Sequence, residues 1–186
     1  MVLVLVIGDL HIPQRAVNIP DLLRSLLVPG KIQQILCTGN LTDRETYTFL
    51  RNIAEEIHVV KGDMDEPGIQ WPESKVVQHG NIRIGLIHGH QIIPNGDTEA
   101  LATKARQLDV DILITGHTNR FEAFDFDGKF FVSPGSATGA YNIPDGRRKV
   151  VPSFALLDIQ DSYVITYVYQ LDRGRVKVDK LEFKKE

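Results

Sequence analysis

The sequence predicts an α/β domain in which two β-sheets pack face to face and helices cover the outer faces. Strand and helix patterns alternate through the first two-thirds of the chain, whereas only strand patterns follow Gly116. The first apolar run, Val2–Ile7, is continuous, as expected of a strand that is buried on both faces. Two sheets with helices outside would bury all of these apolar faces, so we expect a single domain over residues 1–186.

The elements of the first part follow from apolar spacing and from residues that start or stop a helix. Pro20 lies near the first turn of a short helix, and Pro29-Gly30 end it. Asp43 and Asp97 precede the next two helices as N-caps, and Gly80-Asn81 predicts a hairpin turn. The expected strands are Val2–Ile7, Gln34–Thr38, Ile57–Lys61, Val76–Gln78, Ile82–Ile87 and Asp111–Thr115, and the expected helices are Pro20–Leu27, one that follows Asp43 and carries Tyr47, Leu50, Ile53 and Ala54, and Asp97–Leu108.

The last third of the chain predicts a series of antiparallel strands. Asp127-Gly128 and Arg173-Gly174 are typical of the turns that join such strands. The expected strands are Phe121–Phe126, Lys129–Val132, Phe154–Ile159, Tyr163–Leu171 and Val176–Phe183.

The charge balance argues against a nucleic-acid-binding protein. There are 21 basic residues and 24 acidic ones, and the net charge of −3 leaves no basic excess to hold a phosphate backbone. The basic run Arg147-Arg148-Lys149 offers only a few phosphate contacts, so we assign it no role.

No apolar run is long enough to insert directly into a membrane, because a span needs about 18–20 residues. The longest strongly apolar run, Val2–Ile7, has no basic segment before it and is interpreted as a strand rather than a signal peptide. The one cysteine, Cys37, allows no internal disulfide and is expected to be a buried, inert thiol. We therefore expect a cytoplasmic protein.

Side chains that bind metals follow five consecutive strand ends, and each group stands beside a glycine that allows a sharp turn. Ligand sites in α/β sheets collect at the carboxyl ends of strands. Carboxylate, amide and imidazole groups together are the ligand set of a site for two divalent cations. The residues are Asp9 and His11, Asn40 and Asp43, Asp63 and Asp65, His88 and His90, and His117, beside Gly8, Gly39, Gly62, Gly89 and Gly116.

The alternative is that these residues serve only as caps and turns, which is the interpretation we give to Asp43 and Asp97. His58 and His79 lie away from the register and are interpreted as structural. A single pair of such residues would be weak evidence, but five groups in register favour a metal site.

These groups resemble the five sequence blocks of the calcineurin-like metallophosphoesterases. The turn Ser133-Pro-Gly-Ser136 resembles a further one in small bacterial and archaeal members. The resemblance covers nearly the whole chain and implies a four-layer α-β-β-α sandwich. The blocks are Asp9-Leu-His11, Gly39-Asn-Leu-Thr-Asp43, Gly62-Asp-Met-Asp65, His88 and Gly116-His-Thr-Asn119.

The sequence between the blocks resembles that of the small subunits of retromer, the endosomal complex of vacuolar protein sorting. This resemblance implies a scaffold in endosome-to-Golgi retrograde protein transport, held at the endosome membrane through the complex. It implies that the metal-pocket side binds the large α-solenoid retromer subunit and that an apolar side binds Pro- and Leu-bearing segments of Rab regulators. The similar stretches include Gly8–Pro13, Val28–Ile32, Leu36–Leu41, Gly85–Gln91, Pro134–Asn142 and Thr166–Leu171.

Three departures from the blocks argue that phosphoesterase chemistry is lost. Asn40 replaces a bridging Asp, and a neutral amide screens two cations less well than a carboxylate. Met64 replaces the catalytic His of the third block and has no proton to give. Asn119 replaces the second His of the last block. We expect no catalytic residues; the alternative is a divalent-metal-dependent phosphodiesterase or phosphatase with a degraded two-metal site.

The losses fall unequally on the two metal positions. One position keeps Asp9 and His11 but has lost two strong ligands, whereas the other keeps its histidines and gains the charge of Asp63. We expect one or two divalent cations, zinc or manganese, to bind weakly. The candidate ligands are Asp9, His11, Asn40, Asp63, His88, His117 and Asn119.

A loop beside the expected pocket carries two adjacent β-branched residues, Ile92 and Ile93. Both cannot be buried in one core, so a protruding Ile93 would suit a partner that docks over the pocket. The alternative is that both pack beneath the helix Asp97–Leu108.

The strand Tyr163–Leu171 is apolar on both faces, and one face carries Tyr167 and Tyr169. A half-exposed sheet should show a polar face, and tyrosine is enriched at interfaces. With Leu156 of the preceding strand, these residues form a second candidate partner surface. The alternative is a position in the core against a helix.

Overall fold

A computed structural model of the chain describes residues 1–142 and 149–186, and within these residues it has eleven strands and three helices. Arg147 and Arg148 of the basic run lie outside the described residues. The strands are β1 (Val2–Ile7), β2 (Gln34–Cys37), β3 (Glu56–Val59), β4 (Ser74–His79), β5 (Ile82–Ile87), β6 (Ile112–Ile114), β7 (Phe121–Phe126), β8 (Lys129–Pro134), β9 (Ser153–Gln160), β10 (Tyr163–Asp172) and β11 (Arg175–Lys184), and the helices are α1 (Asp21–Arg24), α2 (Arg44–Ile53) and α3 (Thr98–Leu108).

The strands form two mixed sheets. The first sheet has the order β11-β10-β9-β1-β2-β3, in which β1, β2 and β3 are parallel and β9, β10 and β11 continue antiparallel. The second has the order β4-β5-β6-β8-β7, with β5, β6 and β8 parallel and an antiparallel strand at each edge. The parallel strands β1, β2, β3, β5 and β6 lead at their carboxyl ends into the loops that carry the candidate site.

Three apolar layers hold the sandwich together. Leu23 of α1 and Leu50 of α2 pack on the outer face of the first sheet. Val4 lies in the layer between the two sheets, and Leu101 of α3 packs with Phe131 on the outer face of the second sheet. Because side chains of a strand alternate between faces, each central strand supplies two layers. The predicted α-β-β-α sandwich is confirmed.

Most predicted elements are present, with differences at their ends. The predicted helix Pro20–Leu27 is wrong beyond Arg24, because the N–H groups of Leu26 and Leu27 donate to carbonyls three residues back rather than four, and because Pro29 disfavours helical backbone before it. The third strand is Glu56–Val59 rather than Ile57–Lys61, because the Lys61 N–H donates to the carbonyl of Pro72 outside the sheet.

Both predicted N-caps are confirmed, since Asp43 accepts the N–H of Thr46 and Asp97 that of Ala100, each at 2.8 Å. Cys37 is buried, and burial raises the pKa of its thiol to about 12. Among the described residues, no helix has the length and apolar character needed to cross a membrane.

Candidate functional site

The loops that follow β1, β2, β3, β5 and β6 meet at one end of the sandwich and bring the candidate ligands together. Asp63, His88 and His117 each offer a ligand atom, and these atoms lie within 4.8 Å of one another. One carboxylate and two imidazoles are a ligand set that zinc and manganese accept. The seven candidate ligands named from the sequence are called the metal centre below.

His88 is held with a ligand atom facing the centre. Its Nδ1 lies 2.6 Å from the carbonyl oxygen of Thr38, and because a carbonyl only accepts, Nδ1 must donate. Its Nε2 lies 3.0 Å from Oδ1 of Asp63. The backbone carbonyl thus orients the ring and assigns Nε2 to the centre, as is usual for a histidine that binds a metal.

Asp63 links the two histidines. His117 Nδ1 lies 3.6 Å from its Oδ2, on the opposite side from His88. Interactions with His117 and His88 hold the pKa of Asp63 well below its usual range. Burial opposes a charge on His88, but the Asp63 and Asp9 carboxylates outweigh burial and raise the pKa of His88. The carboxylate is therefore ionised, as a cation ligand must be.

Asn40 lies between the two predicted metal positions. Its Nδ2 is 3.0 Å from Asp63 Oδ1, 3.2 Å from His88 Nε2 and 3.4 Å from His11 Nε2. Its Oδ1 accepts the backbone N–H of Met64 at 2.9 Å. The amide therefore points hydrogen-bond donors, and no negative charge, at ligand atoms of both positions.

Asp9 and His11 complete the buried side of the centre. Asp9 Oδ1 accepts the N–H of His117 at 3.2 Å, while its buried Oδ2 has no hydrogen-bond partner among the described residues. Burial raises the pKa of Asp9. Burial and the Arg15 charge lower the pKa of His11 to about 4, so its imidazole is neutral at pH 7. A buried carboxylate oxygen without a partner is costly, and a cation beside it would remove that cost.

Asn119 is buried, but its side chain is used elsewhere. Its Nδ2 donates to the carbonyl of Ala140 at 2.9 Å and so ties the loop after β6 to the loop after β8. Only its side-chain oxygen remains available to a cation. Asn119 is thus a weaker candidate ligand than the sequence pattern alone indicates.

Five of the seven candidate ligands have left-handed backbone, which is strained for residues other than glycine and clusters at functional sites. The five strand-end glycines are required for lack of space. A Cβ added at any one of these glycines would come closer than 3.0 Å to a neighbouring atom. The left-handed residues are Asp9 (φ 50°), His11 (49°), Asn40 (52°), His117 (73°) and Asn119 (56°).

Two neighbours of the centre belong to the same register but were not among the candidate ligands. The ring centroid of His90 lies 5.3 Å from that of His88, and its Nε2 lies 3.9 Å from Glu73 Oε2. Asp65 is buried and accepts backbone N–H groups from two loops. The sequence pattern had placed both residues in the strand-end groups, His90 directly after Gly89 and Asp65 three residues after Gly62.

The loop after β5 buries one isoleucine and exposes the other. Ile92 packs in the layer beneath α3, whereas 81% of Ile93 is exposed. The alternative that both pack beneath α3 is therefore wrong for Ile93. Gln91 holds the loop, with its Oε1 accepting the N–H of Gly89 at 3.0 Å.

The second apolar surface lies on the outer face of the first sheet. Tyr167 of β10 is paired directly with Leu156 of β9, and the Tyr169 ring stacks on Phe154 with centroids 5.0 Å apart. Leu156, Tyr167 and Tyr169 are all partly exposed, and we call them the tyrosine face. The alternate residues of β10, such as Val164 and Val168, point into the sandwich and are buried.

Comparisons with known proteins agree with this geometry. Residues 2–162 match the family described as the calcineurin-like phosphoesterase superfamily domain. The chain is 44% identical over 185 residues to vacuolar protein sorting-associated protein 29 of Schizosaccharomyces pombe, with 98% of each chain covered. A crystal structure of Vps29 from Chaetomium thermophilum superposes with a TM-score of 0.94 at 45% identity and full coverage of both chains.

A crystal structure of wild-type Vps29 from Entamoeba histolytica complexed with zinc superposes with a TM-score of 0.91 at 53% identity, covering 98% of this chain and 99% of that one. Each of these three matches covers at least 98% of this chain. The chain therefore belongs to the calcineurin-like phosphoesterase superfamily and, within it, to the Vps29 family.

Proposed function

We propose that the chain is a non-catalytic scaffold subunit of the retromer cargo-sorting complex, acting in endosome-to-Golgi retrograde protein transport. The observation that carries the proposal is Asn40, whose amide donors face the ligand atoms where a two-metal phosphoesterase needs a shared carboxylate. Membership of the Vps29 family supports the assignment. Residues 1–186 would act as a single domain in the cytoplasm, peripheral to the endosome membrane.

The lack of a proton-donating side chain at position 64, in the third block, supports a loss of catalysis. Met64 is 49% exposed beside the centre, and a thioether can neither give nor take the proton of a leaving oxygen. Its backbone N–H is already used by Asn40. The centre would therefore bind a cation without the groups that turn binding into hydrolysis.

The metal bound would be zinc or manganese, held weakly and chiefly by Asp63, His88 and His117. These three residues fit a cation, since their ligand atoms already converge and Asp9 adds a buried oxygen that has no hydrogen-bond partner in residues 1–142 and 149–186. The cation would supply charge that draws the five loops together. Zinc in the Entamoeba histolytica relative supports this assignment.

The two apolar surfaces would serve different partners. Ile93 would enter the large α-solenoid retromer subunit, because it is an exposed aliphatic side chain at the rim of the centre. The tyrosine face would bind Pro- and Leu-bearing segments of Rab regulators, because stacked and partly exposed tyrosines suit extended apolar peptides. The surfaces lie on opposite sides of the sandwich, since Ile92 packs in the α3 layer and Leu156 in the α1–α2 layer.

Two charge substitutions test this division. We expect Ile93→Asp to abolish co-purification with the α-solenoid subunit and to leave regulator binding intact. A buried unpaired carboxylate costs several kcal/mol, whereas the whole binding free energy of a contact of micromolar affinity is about 8 kcal/mol. Leu156→Glu should do the reverse. The fold of both variants is checked by circular dichroism. If Leu156→Glu releases the solenoid while Ile93→Asp does not, the surfaces are assigned to the wrong partners.

The second candidate function is a divalent-metal-dependent phosphodiesterase or phosphatase, which the convergent ligand set favours. We expect no turnover of phosphomonoester or phosphodiester test substrates above a metal-free blank. A manganese-dependent rate that disappears when Asp9→Ala and His88→Ala are combined would establish the enzyme and overturn the scaffold.

A further inference from the structure

Asp65 is a buried carboxylate that belongs to the third strand-end group but is not one of the seven candidate ligands. It lies in the loop after β3, only 6% exposed. Its Oδ2 accepts the backbone N–H of Gly62 at 2.8 Å and that of Asn40 at 2.9 Å, and its Oδ1 lies 3.4 Å from the N–H of Thr42. One carboxylate thus gathers backbone donors from two different strand ends.

The two loops joined in this way carry ligands of the metal centre. The loop after β2 carries Asn40, and the loop after β3 carries Asp63 directly after Gly62. The loops approach so closely that a Cβ on Gly62 would overlap the side-chain oxygen of Asn40. Two backbones at such a distance stay in register only if something between them accepts their N–H groups, since buried donors are costly to leave unpaired.

Asn40 also needs support because of its own backbone. It has a φ of 52°, a conformation that an asparagine tolerates but does not prefer. The bond from its N–H to Asp65 fixes this conformation and thereby directs its amide toward Asp63 and His88. A charged acceptor makes the stronger kind of backbone hydrogen bond.

We propose that Asp65 is a positioning residue for the metal centre: by accepting the N–H groups of Asn40 and Gly62, it sets the separation of the Asn40 and Asp63 side chains and so the affinity for a divalent cation. It contacts no cation itself. The proposal rests on the metal binding proposed above.

The test compares three variants by zinc calorimetry and by amide hydrogen exchange in zinc-free protein. Asp65→Ala removes the acceptor and should weaken zinc binding by about 10–100-fold, the range seen when a group that supports a ligand is removed. Asp65→Asn can keep one oxygen where Oδ2 lies and should stay within about threefold of the wild type. Asp97→Ala is the matched control, since it removes a carboxylate that accepts a backbone N–H at a distant helix start.

Exchange in the zinc-free protein reports on the loops directly. In Asp65→Ala the amides of Asn40 and Gly62 should exchange at least about tenfold faster, while β1 amides keep their protection. Asp97→Ala should change neither zinc affinity nor these two amides. This pattern would support positioning rather than a general loss of stability.

Two results would overturn the proposal. One is a wild-type protein that binds zinc and an Asp65→Ala variant that binds it equally well. The other is unchanged exchange of Asn40 and Gly62 in Asp65→Ala. If the wild type binds no zinc, the proposed metal binding fails, and the exchange result alone then decides whether Asp65 holds the two loops.

Discussion

The metal centre and the tyrosine face are built by opposite means. The centre has irregular backbone, with five left-handed ligand residues, and hydrogen bonds between loops hold the backbone of Asn40 and the side chain of His88. The tyrosine face has regular strands, and Tyr167 and Tyr169 reach the surface only because every second residue of β10 points outward. The centre should therefore respond to changes in volume and hydrogen bonding, and the face to loss of apolar contact.

The largest expected effect is a loss of folding stability at the tyrosine face that leaves the metal centre unchanged. Phe154 is fully buried beneath Tyr169, so Phe154→Ala should lower the free energy of unfolding by about 3–5 kcal/mol and loosen the tyrosine face. Urea unfolding measures the loss, and zinc calorimetry should show an unchanged metal centre. Phe126→Ala, on the edge strand β7 and only partly buried, is the control and should cost less. Loss of zinc binding in folded Phe154→Ala would show that the regions are coupled.

The next largest effect comes from adding a methyl group where the loops of the metal centre are closely packed. Gly62→Ala forces a methyl group onto the Asn40 side chain and should destabilise the protein by about 1–3 kcal/mol. Binding of a peptide to the tyrosine face, measured by fluorescence, should persist. Gly68→Ala is a matched control, because a Cβ there meets nothing within 4 Å. Equal effects of the two substitutions would contradict the close packing at Gly62.

A negative charge added at the metal centre should have a smaller effect, and it should strengthen zinc binding. Asn40→Asp replaces the amide beside Asp63 with a carboxylate and should raise zinc affinity about tenfold, or about 1.4 kcal/mol. Without metal, two carboxylates in contact should lower stability. Calorimetry and urea unfolding measure the two effects. Asn95→Asp, an exposed loop residue, controls for charge alone. Unchanged affinity would mean that Asn40 does not limit the centre.

The smallest expected effect is a pH dependence confined to the centre. The pKa of Asp63 is lowered in the fold, so its stabilising contribution is present above its ordinary pKa of 3.8 and is lost as the pH falls through the folded value. The pKa of His88 is raised, so its contribution is present below 6.5 and is lost as the pH rises through the folded value.

Both charges contribute between these limits, so Asp63→Asn should destabilise the metal-free protein more near pH 6 than near pH 9. The difference should not exceed about 1 kcal/mol, because 35% of the Asp63 side chain is exposed to solvent. Urea unfolding with a chelator present measures it. Leu156→Ala on the tyrosine face changes no titrating group and should show no such dependence. A larger loss of stability near pH 9 than near pH 6 would contradict the charges assigned to Asp63 and His88.

Much of the fold could be predicted because strand patterns are local. The continuous apolar run of β1 and the caps at Asp43 and Asp97 depend on a few neighbouring residues, and the structure has them at the expected positions. The pairing of β1 with β9 could not be predicted, since it joins segments about 150 residues apart and depends on the layers that form between them.

The residues that form the candidate site could be predicted from the sequence, but their arrangement in space could not. Five strand ends carry metal-binding side chains beside glycines, a pattern that requires only residue types. The hydrogen bond from the Asn119 amide to the carbonyl of Ala140 depends on a loop that approaches from β8. The exposure of Ile93 rather than Ile92 depends on where α3 lies.

The central place of β1 has a consequence for how the protein is made. On the ribosome β1 emerges before the other described strands, and β2 can pair with it on one side soon afterwards. Its other side remains an open edge until β9 has been synthesised, because Leu5 pairs with Leu156. During that interval an apolar strand with unpaired backbone groups is exposed, which is the condition under which nascent chains aggregate or recruit chaperones. The first sheet therefore cannot be completed before β9 has been made, and the same pairing step assembles the tyrosine face.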